Sequence, residues 1–317
     1  MAKSQIEKLE QKRQALLDRT ALALGITADE ARRLLELRRT QSFRVNILKA
    51  DKTVVDELEA LGWRGEQFSW FKDGYSIDEG LTAVRDSQLA EQGKIYIQNA
   101  ASWLPALALD TQPGEQVLDL CAAPGGKTSH LAALASNQAF ITANDNSRPR
   151  LARLRANMQR MGVDNVAYTL YDATQIARKL DGRQFDKILL DAPCSGEGMM
   201  AYGRDKDFTT WSVAHIKRLE QLQRRLIVQA WQLLKPGGIL VYSTCTMAPE
   251  ENEAVVDYLL RRTDDAVIVP LQQKLANATP AVQQWNNRTY DAALADAVRL
   301  RPSTEAEAFF VVRIQKG

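Results

Sequence analysis

The chain has 317 residues, 45% apolar and 25% charged, with 41 basic residues against 39 acidic ones for a net charge of +2. That balance is ordinary for a globular protein with one large α/β domain and a smaller one, and it excludes a polybasic chain, so any nucleic-acid surface must be local. No apolar run approaches the roughly 20 residues of a membrane helix, the start MAKSQIEKLEQKRQ is a polar helix without a signal-peptide core, and three scattered cysteines with two histidines exclude a disulfide framework or a zinc site; a cytoplasmic protein with no metal and no membrane contact is expected.

Residues 5 to 39 predict two helices. The first stops at Gly25, and the second opens on Thr27 as N-cap with Glu30 three residues on, the pattern of a capping box. SFRVNIL alternates as a strand, KTVVDELEALG is a helix ending at Gly62, and the aromatic run WRGEQFSWFKDGYSI reads as short strands or loops. Together these make a helical lead-in and a small α+β module, residues 1–105. From Gly114 the pattern becomes strand, helix, strand, helix: QVLDLC, GKTSHLAALAS, FITANDN, PRLARLRANMQRMG, VAYTLYD, FDKILLDAP, a long helix through HIKRLEQLQRRLIVQAWQLL closed by a glycine stop, GGILVYSTC, ENEAVVDYLLRR and AFFVVRIQ. Such alternation with short turns predicts a doubly wound, mainly parallel, Rossmann-like sheet over 106–317.

LDLCAAPGGKTSHL lies close to a phosphate-binding loop, with Gly126, Lys127 and Thr128 in place but Cys121 where that loop has its first glycine, and Pro124 stiffening the middle. A nucleotide triphosphate therefore fits poorly. Ala122, Ala123, Gly125 and Gly126 are small enough for backbone amides at a helix start to approach an anionic ligand. Acids follow three later strands: Asp145, Asp172 and Asp191. An acid at the end of the second strand suits a ribose hydroxyl pair and the next an adenine edge, so the set reads as a site for adenosine without polyphosphate. Singly, each aspartate reads as a loop acid or a helix cap. Cys194 in DAPCSGEG and Cys245 in YSTCT stand just past strands, in turns where packing demand is low. Cys121 reads equally well as a small buried residue.

The run CAAPGGKT, with DAPCSGEG, YSTCT and EENE downstream and RVNILK and YIQNAASWLPALAL upstream, resembles the NOL1/NOP2/Sun group of RNA cytosine-5 methyltransferases. The resemblance implies a class I methyltransferase fold and S-adenosyl-L-methionine as cofactor. It assigns the nucleophile that adds to C6 of the cytosine to Cys245, release of the methylated base to Cys194, and the pyrimidine edge to Asp191. It places Cys121 through Lys127 around the methionine and adenosine, Asp145 at the ribose and Asp172 at the adenine, with Asp191 also facing the cofactor. Asp119 is expected to support the loop from its strand end. Ribosomal RNA is the expected substrate, alone or in a ribosomal subunit, with transfer RNA the alternative and a non-catalytic assembly factor that keeps the fold a third. Arg32, Arg33, Arg38, Arg39 and Arg44 are the expected RNA contacts, with Trp63, Phe68, Trp70, Phe71 and Tyr75 as stacking faces. A monomer is expected. One departure stands near the end: EAEAFF replaces the group's DGFF, which puts Glu307 and Ala308 where a glycine bend at a sheet edge is expected.

Overall fold

The structure is a computed structural model and describes residues 2–317. Strands β1 (Gln41–Val45), β2 (Gly74–Ile77) and β3 (Ile95–Ile97) form an antiparallel sheet in the order β2-β1-β3. The larger sheet has nine strands: β4 (Gln116–Asp119), β5 (Phe140–Asn144), β6 (Val166–Thr169), β7 (Phe185–Asp191), β8 (Leu234–Thr244), β9 (Ala266–Val269), β10 (Ala278–Pro280), β13 (Val298–Leu300) and β14 (Phe309–Lys316), while β11 (Gln284–Trp285) and β12 (Arg288–Thr289) pair apart from it. Its order is β10-β13-β14-β8-β7-β4-β5-β6, with β9 pairing β14; the run β8 to β6 is parallel and β14 is antiparallel to β8.

The near-continuous apolar character of β4, β7 and β8 follows from their burial on both faces. Leu118, Ile188, Leu190, Leu240 and Tyr242 face one core, under helices Val213–Leu233 and Glu253–Leu260. Val117, Leu189 and Val241 face the other, under helices Leu104–Leu109, Gly126–Leu134 and Arg148–Met161. The chain leaves β4 towards β5 on one side and returns as β7 on the other. A crevice opens there beyond the carboxyl ends, and it receives the loops after β4, β5, β6, β7 and β8.

Four expectations are revised. The helices Ala2–Leu24 and Ala28–Glu36, joined by the Thr27–Glu30 capping box, do not serve the small sheet; Leu16, Leu17, Ala31 and Leu35 pack on Phe208, Trp211, Met247 and Ala248 of the large half. Trp63, Phe68, Phe71 and Tyr75 are buried: Trp63 and Tyr75 cover the apolar face of the three-stranded sheet with Phe43 and Val45, while Phe68 and Phe71 pack on Ala100 and Trp103; of the five aromatics only Trp70 keeps partial exposure. Gly237 does not stop the long helix, which ends at Leu233; it adopts φ +77° in a bulge of β8 across from the Phe185–Lys187 register shift. Strand β14, moreover, is no edge: it lies between β8 and β13, and Ala308 before it is buried.

Candidate active site

The loop between β4 and helix Gly126–Leu134 is held from three sides. The Ala122 amide donates to the Asn144 carbonyl at 2.8 Å, Arg150 Nη2 to the Ala123 carbonyl at 2.7 Å, and Asn157 Nδ2 to the Pro124 carbonyl at 2.7 Å. Gly125 sits at φ +106°, a conformation costly for any residue with a Cβ. Asn144 ties the strand ends together: its Nδ2 donates to the Leu120 and Tyr171 carbonyls, while its Oδ1 accepts from Thr169 Oγ1 and the Tyr171 amide. Below the loop, Thr128 Oγ1 donates to Asp119 Oδ2 at 2.7 Å, so Asp119 supports the helix start. Its other oxygen, Oδ1, is buried without a partner among the described residues. Burial pushes the Asp119 carboxyl up to about 7, against the Thr128 hydrogen bond.

A cleft of about 340 Å³ lies on one side of the loop, walled by Cys121, Asp145, Asp172, Asp191, Cys194 and Cys245 among others. A second, of about 250 Å³, lies on the other side against Tyr96, Gln98, Asp119, Pro124 and Lys127. Cys121, Ala123 and Asp191 line both. Asp145 is buried, with the Ser147 amide on Oδ1 at 2.9 Å and Arg150 Nη1 3.4 Å from Oδ2. Asp172 lines the cleft and also caps the turn 173–175, and hydrogen bonds from the Thr174 amide and hydroxyl hold its carboxyl below the usual range. The cap and the ligand wall are thus one residue.

At the end of β7, Asp191 accepts from Lys127 Nζ at 2.7 Å and from Ser243 Oγ at 2.8 Å. Lys127 also stands 5.7 Å over the Phe309 ring. Burial works against the Lys127 ammonium, but the charge and hydrogen bond of Asp191 outweigh it and its pKa is raised. Cys194 and Cys245 are free thiols with sulfurs 3.3 Å apart. The hydrogen bond with Cys245, then burial, then the charge Cys245 would carry keep Cys194 a thiol well past its ordinary range. Cys121 is unsuited to attack, since burial and the carboxylates of Asp119, Asp191 and Asp145 push its thiol up as well.

Behind the two cysteines stands a layer that sequence reasoning did not single out. The Gly198 amide donates to the Cys245 carbonyl at 2.9 Å, and buried Glu251 and Glu197 accept from the loops around both thiols. Their only signals were the runs EENE, which holds Glu251, and DAPCSGEG, which holds Glu197 and Gly198, quoted as family motifs with no role given to these residues. Of the five arginines, Arg32, Arg33 and Arg38 are exposed and Arg39 is half-buried. Arg44 is fully buried and cannot be a surface contact; its Nη2 donates to Ser129 Oγ at 2.7 Å and to the Gly126 carbonyl at 3.3 Å, beneath the ligand loop. Strand β1 is buried on both faces from Ser42 to Val45, and Arg44 lies opposite the Phe43 and Val45 face, against the start of helix Gly126–Leu134.

The sequence profile of the family described as 16S rRNA methyltransferase RsmB/F matches residues 106–315. The chain belongs to that family, part of the NOL1/NOP2/Sun group. This RsmB/F member is 39% identical over 87% of its length, and 88% of the relative's, to the tRNA (cytosine(49)-C(5))-methyltransferase of Pyrococcus abyssi. It is 41% identical to ribosomal RNA small subunit methyltransferase F of Shewanella amazonensis, again over 87% of its own length but only 58% of the relative's. A solved methyltransferase homologue from Pyrococcus horikoshii superposes with a TM-score of 0.78 at 35% identity, covering 96% of this chain and 99% of that one.

Proposed function

We propose that this RsmB/F member transfers a methyl group from S-adenosyl-L-methionine to C5 of a cytosine in RNA through a covalent cysteine adduct. The observation that carries the reading is the pair of free thiols 3.3 Å apart, in a cleft whose wall they share with Asp191. The cofactor fits the residues present. The unpartnered Asp119 oxygen beside the second cleft suits an ammonium, the start of helix Gly126–Leu134 suits a carboxylate, and buried Asp145 with cleft-lining Asp172 suits ribose hydroxyls and an adenine edge. When bound, S-adenosyl-L-methionine supplies an electrophilic methyl on a sulfonium.

Carbon 5 of cytosine is a weak nucleophile, so Cys245 Sγ first adds to C6 and the displaced electron pair spreads over C5, N3 and O2. Asp191 meets the pyrimidine edge, and Lys127, hydrogen-bonded to it, brings a fixed positive charge to where the negative charge grows. Carbon 5 then takes the methyl. Water takes the C5 proton, the electron pair of that bond re-forms the C5–C6 double bond, and the C6–S pair leaves on Cys245 Sγ as a thiolate, which restores the aromatic ring and frees Cys245. Cys194, in sulfur contact with Cys245 and held as a thiol, is the group placed to assist that release.

The RNA is ribosomal in this reading. Transfer RNA is the alternative, since the chain is 39% identical to the Pyrococcus abyssi transfer RNA enzyme; it spans 57–63% of the length of the ribosomal RNA enzymes it matches. Exposed Arg32, Arg33 and Arg38 and half-buried Arg39 remain the proposed RNA contacts on the helical lead-in. Wild type, Cys245→Ala and Cys194→Ala are to be incubated with total RNA and radiolabelled S-adenosyl-L-methionine, digested and chromatographed, with denaturing gels for trapped adducts. Wild type making 5-methylcytidine, Cys245→Ala making none and Cys194→Ala trapping RNA support the reading. Full activity in Cys245→Ala refutes it.

A further inference from the structure

Glu251 is fully buried, and among the described residues no lysine, arginine or histidine lies within 4 Å of its carboxylate; the nearby Arg19 pairs with Glu250 instead, at 2.7 Å. Such a group is costly, and an apolar side chain of the same size would pack there more cheaply. Its partners show what it achieves. Oε2 accepts from the Ser195 amide and from Gln223 Nε2, both at 2.9 Å, and Oε1 accepts from Ser195 Oγ; Thr246 Oγ1 lies 3.4 Å from Oε1 and 3.1 Å from Glu197 Oε2, so its one proton is shared between the two carboxylates. Ser195 follows Cys194 and Thr246 follows Cys245, so one carboxylate grips the residue next to each thiol. The hydroxyls of Ser195 and Thr246 also meet at 2.8 Å, and Gln223 extends the grip to the Pro193 carbonyl at 2.9 Å.

We propose that Glu251 is the positioning residue that sets the Cys194–Cys245 sulfur spacing, holding two separate loops at one distance by a shared acceptor. This rests on the reading of the two cysteines as nucleophile and release group. It predicts that the clamp serves release of the adduct more than its formation, because formation needs Cys245 alone. The conservative variant discriminates the idea. In Glu251→Gln the amide oxygen can take the place of Oε2 while its NH₂ donates to the two hydroxyls, so the clamp survives; in Glu251→Ala it is lost.

The test measures geometry without catalysis. In a Cys121→Ala background, diamide closes a Cys194–Cys245 disulfide, both thiol hydrogens passing to the azo nitrogens to give the hydrazine. Closure is expected at least tenfold slower in Glu251→Ala and within threefold of the parent in Glu251→Gln. Ser195→Ala, which removes the hydroxyl but keeps the amide bond to Oε2, and Thr246→Val, which removes the hydroxyl of the other loop, should fall between, and they serve if Glu251→Ala does not fold. With RNA and S-adenosyl-L-methionine, the alanine variant should accumulate methylated adduct while the first-turnover rate stays within a few-fold of the parent. Parent-like closure in Glu251→Ala, or in both single-arm variants, overturns the proposal, as does parallel loss of first turnover and release. If closure depends on Glu251 but the parent makes no 5-methylcytidine, the clamp stands and the enzymatic reading falls.

Discussion

Gly198→Ala is the sharpest test of how tightly the nucleophile is held. A Cβ at this position would lie 2.8 Å from the Cys245 carbonyl oxygen and still closer to that of Ala308. Both neighbours are backbone, so relief requires moving the Cys245 turn, the entry to β14, or residues 197–199. A carbon needs roughly 3.3 Å from such an oxygen, and about half an ångström or more must therefore come from this backbone; overpacking of this kind costs about 1–3 kcal/mol. The same shift stretches the Gly198 amide bond to Cys245 and changes the sulfur spacing, and misplacement on the order of 1 Å lowers a rate about 100-fold. The expected result is a modest fall in melting temperature, a methyl-transfer rate down by roughly two orders of magnitude, and S-adenosylhomocysteine affinity within about threefold of wild type, because the proposed adenosine wall at Asp145 and Asp172 is not touched. Calorimetry gives the affinity and single-turnover methylation the rate. A rate within about threefold of wild type would show that the Cys245 turn tolerates displacement and would refute the reasoning.

Glu251 also predicts a pH dependence. Burial raises its carboxyl to about 7 from an ordinary 4.5, so between those values the unfolded chain releases a proton that the folded chain keeps. Stability from this group is full below about pH 4.5, falls as pH rises to about 7 and is level above, a change of about 3 kcal/mol at most; denaturant unfolding of Glu251→Gln across that range should show a shallower slope than wild type, with the part due to Asp119 remaining, and an unchanged slope would exclude Glu251 as a source. Asp119, raised to about 7 by burial, should hold an ammonium only when ionised. S-adenosylhomocysteine binding should therefore weaken as pH falls below about 7, and Asp119→Asn should be weak and flat across pH; a wild-type affinity independent of pH would refute the assignment. Arg44→Met removes hydrogen bonds to Ser129 and Gly126 but also a buried charge whose Nε and Nη1 have no partners among the described residues. The two effects oppose, so unfolding should change by no more than about 1 kcal/mol, while cofactor affinity falls because the helix start loses its neighbouring positive charge; equal affinity in both proteins would refute that role.

The local elements were legible because each has a one-dimensional cause. Thr27 and Glu30 mark a cap by spacing, and the runs in β4, β7 and β8 are apolar at successive positions because those strands have two buried faces. The strand-end acids and the cysteines after β7 and β8 could be placed at one crevice for the same reason, since a parallel sheet sends all its carboxyl ends one way. Strands β9 to β13 were not read, being two to four residues long and half-exposed, too short for a period to show.

By itself, then, the order of residues determined the parallel part of the sheet, the loop after β4 and the family's two thiols. The three-dimensional packing decided the rest. Arg44 looked like part of a basic surface cluster, and only its burial against the start of helix Gly126–Leu134 shows that it supports the loop 82 residues away. The lead-in helices had an apolar face whose partner could not be inferred until Met247 and Ala248 were seen beneath it. Glu251 reads as one acid in an acidic run, and its meaning comes from Ser195, 56 positions earlier, and Thr246 sharing its oxygens. Each of these is a contact between segments distant in the chain, and neither propensity nor periodicity, which act over a few residues, carries information about it.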